Sequence, residues 1–313
     1  MINRRLLRIK ALQIIYAFYN KPDISLQQAE NELLQSIEKT YDLYFLLISI
    51  IEEVKEYAQK IIDYRLSKNI KTEEDKNPSL KFVRNNIITQ ITINDTLLQK
   101  IKERKLSWKE NPELIKKLYL NLTESDEFIQ YMSKPESDFE EDKKIIQFFY
   151  SEIIYNSKDL YSVLEEQSIY WNYEIDFTID LVLKSLDKIV EGKFKNFVIK
   201  DIYKKEDDLD FVKILLRKTI IKGKEYEKII SDNIINWEFE RVLKTDRLIL
   251  MLAISEIIEF KSIPVKVSFN EYIEIAKQFG SEKSGSFING VLEKIIAYLR
   301  EENKFEKTGR GLV

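Results

Sequence analysis

The chain has 313 residues, with 50 Lys and Arg against 53 Asp and Glu for a formal net charge of −3, and it contains neither Cys nor His. Disulfides, thiolate nucleophiles, Cys/His zinc sites, histidine general-base catalysis and haem ligation through histidine are therefore excluded. The near-neutral total argues against a protein that binds polyanions over its whole surface, so any nucleic-acid face has to be local.

Gly and Pro number only 7 and 5, and every Gly lies at or beyond Gly192, so long stretches lack the residues that usually interrupt helices. Apolar residues recur at helical spacing from the start, as in Leu7, Ala11, Ile14 and Phe18, then Leu43, Leu47, Ile50 and Val54, and later Val291, Ile295 and Leu299. The spacing predicts an all-α, multi-helix bundle. Asn86 to Thr92 fits a strand as well as a helix, because its Ile residues satisfy both periods. Breaks are expected at Asn20 to Asp23, Ser67 to Ser79, Asn111 to Pro112, Met132 to Asp142, Glu191 to Phe197, Lys261 to Pro264 and Phe279 to Gly285. The most apolar stretch, Leu43 to Ile51, is too short to span a bilayer, and no cleavage site follows the basic start. A soluble, cytoplasmic protein without a membrane partner is expected. Residues 142–180 lie over 208–246 at an offset of 66, with Trp171 over Trp237. Amphipathic helices align easily with one another, so an internal duplication stays open.

Two clusters could carry a binding function. Residues 1–22 hold Arg4, Arg5, Arg8, Lys10 and Lys21 and no acid, a local charge of +5. On a helix, Arg5, Arg8, Leu12 and Tyr16 form one stripe. Guanidinium groups beside an aromatic ring suit RNA, since Arg grips phosphate bidentately and a ring stacks on an unpaired base. The alternative is a solvated basic face. The second cluster, Phe279 to Val291, places Gly280 as a helix C-cap and Ser281 or Ser284 as the next N-cap. Lys283, Ser284 and Phe287 then sit at a helix N-terminus, where phosphate can bind; the alternative is an ordinary turn. Gly290, inside the last helix, calls for a reason such as close approach of another helix. Asp246 and Arg247 interrupt an apolar run, Ser268 to Glu271 has capping-box spacing, and no catalytic set, Gly-rich phosphate loop or metal-ligand spacing emerges. No cofactor or metal is expected, and the chain is read as not an enzyme.

Three ordered segments resemble the NusB family of bacterial transcription antitermination factors. They are Arg4-Arg5-x-x-Arg8-x-x-Ala11-Leu12-Gln13-x-x-Tyr16; Asn236-Trp237 through Asp246-Arg247-x-Ile249-Leu250-x-Leu252-Ala253-x-x-Glu256; and Ile263-Pro264 through Phe279-Gly280 with Ser284-x-x-Phe287-x-Asn289-Gly290-Val291-Leu292. The resemblance implies an all-helical fold with the first helix packed on the C-terminal helices. It implies binding of boxA-type single-stranded RNA together with the ribosomal protein NusE, within the RNA polymerase antitermination complex that supports rRNA transcription. Carried over, Arg4, Arg5, Arg8, Tyr16, Lys283, Ser284 and Phe287 fall on the RNA face, and Asp246, Arg247 and Leu250 on the partner-binding helix.

The chain departs from the family pattern in length, since ordinary members are about half as long. It is therefore divided into a basic helix at 1–22, an additional helical region at 23–170 and a core at 171–313. Residues 40–66 also resemble the family's second helical segment and compete with 207–230 for that place. Ser255 and Met251 stand where members commonly carry Tyr and a basic residue. An RNA methyltransferase of the RsmB type, which shares the fold, would need a catalytic Cys and a downstream cofactor domain. A helical interaction scaffold with reduced RNA binding is the remaining alternative.

Overall fold

The computed structural model describes residues 3–21, 23–136, 138–191, 206–234 and 239–308. Among these every regular element is helical. In chain order they are α1 (Arg4–Asn20), α2 (Leu26–Ser67), α3 (Glu73–Lys76), α4 (Asn86–Thr92), α5 (Asp95–Arg104), α6 (Pro112–Thr123), α7 (Asp126–Ser133) and α8 (Phe139–Phe148), which continues into a π-helical turn over Phe149–Ile154. Then follow α9 (Lys158–Gln167), α10 (Ile175–Leu186), α11 (Glu206–Ile221), α12 (Gly223–Asn233), α13 (Lys244–Glu259), α14 (Val265–Phe279) and α15 (Ser284–Glu301). Two compact units divide the chain, one of Met1–Ile37 with Ile202–Val313 and the other of Glu38–Asp201.

These boundaries differ from the 22/23 and 170/171 divisions read from sequence. The first falls inside α2, whose 42 residues no Gly or Pro interrupts. The second lies beyond α10, because that helix and the turn before it belong to the Glu38–Asp201 unit. There Thr40 donates to Glu174 at 2.6 Å, the Trp171 indole N–H to the Lys39 carbonyl at 2.7 Å, and Tyr44 to Ser185 at 2.9 Å.

Within that unit the core is the buried run Leu43 to Ile48 with Ile50, Ile51 and Val54. The Trp108 indole donates to the Leu46 carbonyl at 2.8 Å, and the Tyr150 hydroxyl, on the π-helical turn, to those of Leu47 and Ile48. Asn86 to Thr92 is a helix rather than a strand. Asn85 settles the choice, because its side chain accepts from the backbone N–H of Ile87 and Ile88 and so nucleates the first turn.

The other unit is built around α13, which packs against α1, α11, α12, α14 and α15. Every residue from Leu248 to Ile257 is buried, the pattern of a helix enclosed on all sides. Two local expectations need correction. Ser268 does not open α14 as a cap, because the helix begins at Val265 behind Pro264, and the Ser268 hydroxyl donates to Glu256 instead. Gly290 is not a close-packing site, since a Cβ placed there meets no atom within 4 Å. Gly290→Ala is accordingly expected to raise the thermal stability by about 0.5–1 kcal/mol, read from melting curves, through the smaller entropy of the unfolded chain. A lower melting temperature would contradict the open surroundings of this position.

Candidate nucleic-acid interface

α1 begins after Asn3, whose side chain accepts from the Leu6 N–H. The helix presents its first basic residues to acids on α11, α13 and α14. Arg4 donates to Asp208 at 2.9 Å, and its guanidinium lies 5.0 Å from the centroid of the Phe211 ring. Arg5 makes a bidentate pair with Glu271, at 2.8 and 2.9 Å, in a partly exposed position. The Arg5 hydrogen bond holds the Glu271 carboxyl below the usual carboxylate range. Arg8 is 3% exposed and forms a second bidentate pair with the fully buried Glu256, both bonds at 2.7 Å. Burial works to lower the Arg8 pKa, but the bonds and charge of Glu256 outweigh it and raise the value. Ser268 and Tyr272 complete the Glu256 carboxylate with two hydroxyl donors. Arg8 is therefore a buried structural cation, closed to RNA phosphate in this arrangement.

The other end of α1 is different. Tyr16 is 45% exposed, and the Lys244 ammonium lies 5.8 Å from the centroid of its ring. Lys244 also donates to the Tyr19 carbonyl at 2.9 Å and to Asn20 at 2.6 Å, which places its charge at the negative end of the helix dipole. Tyr16 stands eleven positions after Arg5, about 16 Å along the helix axis at 1.5 Å per residue.

Lys244 opens α13, and the residues around that start line a pocket of about 390 Å³ together with the turn before α15. Arg241, Leu243 and Asp246 come from one side, Lys283, Ser286 and Phe287 from the other. The approach depends on Gly280, where a Cβ would stand 2.3 Å from the Ser284 Cβ and 2.7 Å from the Ala276 carbonyl. Neither Ser281 nor Ser284 is the N-cap of α15. That position is Lys283, and the Ser284 hydroxyl accepts from the Ser281 N–H at 2.8 Å while donating to Asp246 at 2.9 Å.

The predicted site residues thus separate into two groups. Tyr16 and Lys283 are exposed and Phe287 is half-buried, whereas Arg8, Ser284, Asp246 and Leu250 are 3%, 1%, 3% and 0% exposed. Leu250, expected on the partner-binding helix, lies in the core, and Asp246, expected there too, is held by Ser284, with burial raising its pKa. Arg247 is partly exposed, with its guanidinium 5.1 Å from the centroid of the Phe239 ring. The groove that Arg4, Arg5 and Arg8 line with Pro264 and Val267 shares no residue with the pocket at Lys283. Lys244 and Arg241 were not singled out from sequence. Their signal is position, as basic residues flanking the start of α13. Asn236 and Trp237 lie outside the described residues. Among the described residues no group of acidic side chains could hold a metal ion, and no helix is long and apolar enough to cross a membrane.

The model of the NusB family matches residues 173–297, a range that excludes α1. The transcription antitermination protein NusB of Salinibacter ruber is 40% identical over 104 residues, which are 33% of this chain and 65% of that protein. Its counterpart in Chloroherpeton thalassium is 30% identical over 45% of this chain and 64% of its own length. The chain therefore spans slightly less than two thirds of either protein. In Halalkalibacterium halodurans the counterpart is 32% identical over 41% of this chain and 90% of its own length. A solved structure of T. maritima NusB is 26% identical over 41% of this chain and 80% of that one, with a TM-score of 0.29.

Proposed function

We propose that this chain, which belongs to the NusB family, is a non-catalytic transcription antitermination factor that binds boxA-type single-stranded RNA together with NusE. The observation that supports an RNA face most directly is the set of side chains around the start of α13. Lys244 and Arg241 on that side, Lys283 on the facing turn, and the rings of Tyr16 and Phe287 combine cations for phosphate with aromatic surface for unpaired bases. Lys283 has no acidic partner among the described residues, so its charge is available without breaking an ion pair.

The test is a titration of boxA-type RNA against the full chain at several salt concentrations. Affinity is expected to fall as salt rises, and Lys283→Ala or Lys244→Ala each to lower the slope of log K against log salt by about 1. Binding indifferent to salt, or unchanged slopes in both variants, would overturn this face. Arg5→Ala is expected to affect the slope less, because its guanidinium is already engaged by Glu271.

That engagement, with the burial of Arg8, favours one second reading, a helical interaction scaffold with reduced RNA binding. It predicts co-purification with NusE that is unchanged by adding boxA RNA, and RNA binding that is weak and only shallowly dependent on salt.

A further inference from the structure

We propose that the pocket between the start of α13 and the first turn of α15 receives one unpaired nucleobase, with Asp246 reading an N–H edge and Phe287 forming a wall. The inference rests on the RNA-binding reading above and gives one part of that face a defined ligand.

A buried carboxylate ordinarily has both oxygens engaged by donors. Asp246 is 3% exposed and receives one such bond, from the Ser284 hydroxyl to Oδ2. Its Oδ1 is buried and has no hydrogen-bond partner among the described residues. An unmet acceptor of this kind is costly, so a site that supplies an N–H there gains twice, by the new bond and by removal of the deficit. Asp246 lines the pocket with Val242, Leu243 and Phe287 as apolar surface and with Lys283 and Arg241 as cations. This is the composition that holds a base removed from its stack. A ring face and apolar side chains take the flat surface, a fixed acceptor reads the Watson–Crick edge, and cations meet the phosphates that flank it. The volume, about 390 Å³, lies in the range of small-molecule sites. Among the four bases guanine fits best, because its N1–H and N2–H donors stand side by side towards a carboxylate. Uracil fits worst, since its single N–H is flanked by two carbonyl oxygens that the carboxylate repels.

The experiment uses the full chain and a labelled boxA-type RNA, prepared as a series with one abasic site at each position and a second series with single guanine-to-inosine changes. In the unmodified protein one position is expected to lose about ten-fold or more in affinity when its base is removed, as expected for a base stacked on an aromatic side chain. The same loss should shrink to about two-fold or less in Phe287→Ala and in Ser286→Trp, since neither leaves the stacking surface open to the base. Ser286 is exposed, so its replacement fills the pocket without removing a core group, and a melting curve for each variant confirms the fold. At that position inosine, which lacks the N2 amino group, should weaken binding to the unmodified protein but not to Asp246→Asn. RNA that binds with salt dependence but shows the same abasic profile in Phe287→Ala and Ser286→Trp overturns the pocket and leaves the RNA-binding reading intact. Absence of salt-dependent binding overturns both.

Discussion

Arg8→Ala is expected to lower the unfolding free energy of the unit that contains α1 and α11–α15 by about 3–5 kcal/mol, the cost of removing one partner from a buried ion pair. The magnitude follows from what remains behind. Glu256 is fully buried, and Arg8 is the cation bonded to it, by two bonds at 2.7 Å, while Lys307 acts on it through its charge without a hydrogen bond among the described residues. Ser268 and Tyr272 would still donate to it, but neither hydroxyl neutralises it. The guanidinium also fills space against Phe211 and Tyr272, so the substitution leaves a void beside an uncompensated charge. Arg5→Ala supplies the contrast. Its bidentate pair with Glu271 is partly exposed and should contribute about 1 kcal/mol or less. Urea unfolding followed by circular dichroism distinguishes the two, and comparable small losses in both variants would refute a structural role for Arg8. The comparison also guards against a misreading, because an Arg8 variant that binds RNA poorly will do so mainly through loss of folded protein.

The contrast shows what the sequence can and cannot carry. The Arg5, Arg8, Leu12 and Tyr16 stripe is a correct account of one helix face, yet a helical wheel does not reveal what faces it. Glu256 lies 248 residues from Arg8 in the chain, and only the packing of α1 on α13 turns an apparent phosphate clamp into a core ion pair. Ser284 and Asp246 were obscured in the same way, since each looks like a surface residue until the other is brought to it. The helix content was legible because apolar spacing repeats with little interruption. The later boundaries were legible because Pro264 and Gly280 mark them. Between residues 85 and 168 the breaks at Asn111 to Pro112 and Met132 to Asp142 were legible too, but the starts at Asn85, Asn94, Ser125 and Ser157 were not, because each is made by a side chain accepting a backbone N–H. One end there is made by Lys105 in the left-handed region at φ 55°, where glycine is the usual choice. Counting Gly and Pro therefore understates how often this segment turns. Lys283 and Tyr16 are exposed and Phe287 is half-buried because they sit at a turn or near a helix end, where fewer neighbours can cover them.

Leu250→Ala is expected to cost about 2–5 kcal/mol of stability in the same unit, the range for deleting a fully buried leucine side chain and leaving a cavity. Leu250 is 0% exposed in the middle of a buried run, and the surrounding helices α11, α12, α14 and α15 all pack on α13. Collapse into the space would have to move several of them at once, which places the expected loss towards the upper part of the range. Leu243→Ala, one residue before α13, provides the control. Leu243 is 50% exposed and should cost about 0.5 kcal/mol or less. The pair also separates two accounts of this helix. If Leu250 contacted a partner such as NusE, its substitution would weaken the complex beyond the loss of folded protein. If α13 is a central support, as its burial requires, then affinity per folded molecule stays unchanged in Leu250→Ala. Changes at the exposed start of the helix, Leu243 and Lys244, then become the ones that alter binding. A Leu250→Ala protein with unchanged urea midpoint and a weakened partner complex would reverse that assignment. The likeness of the apolar run to its relatives would then reflect an interface, and not the need to fill the space that five helices enclose.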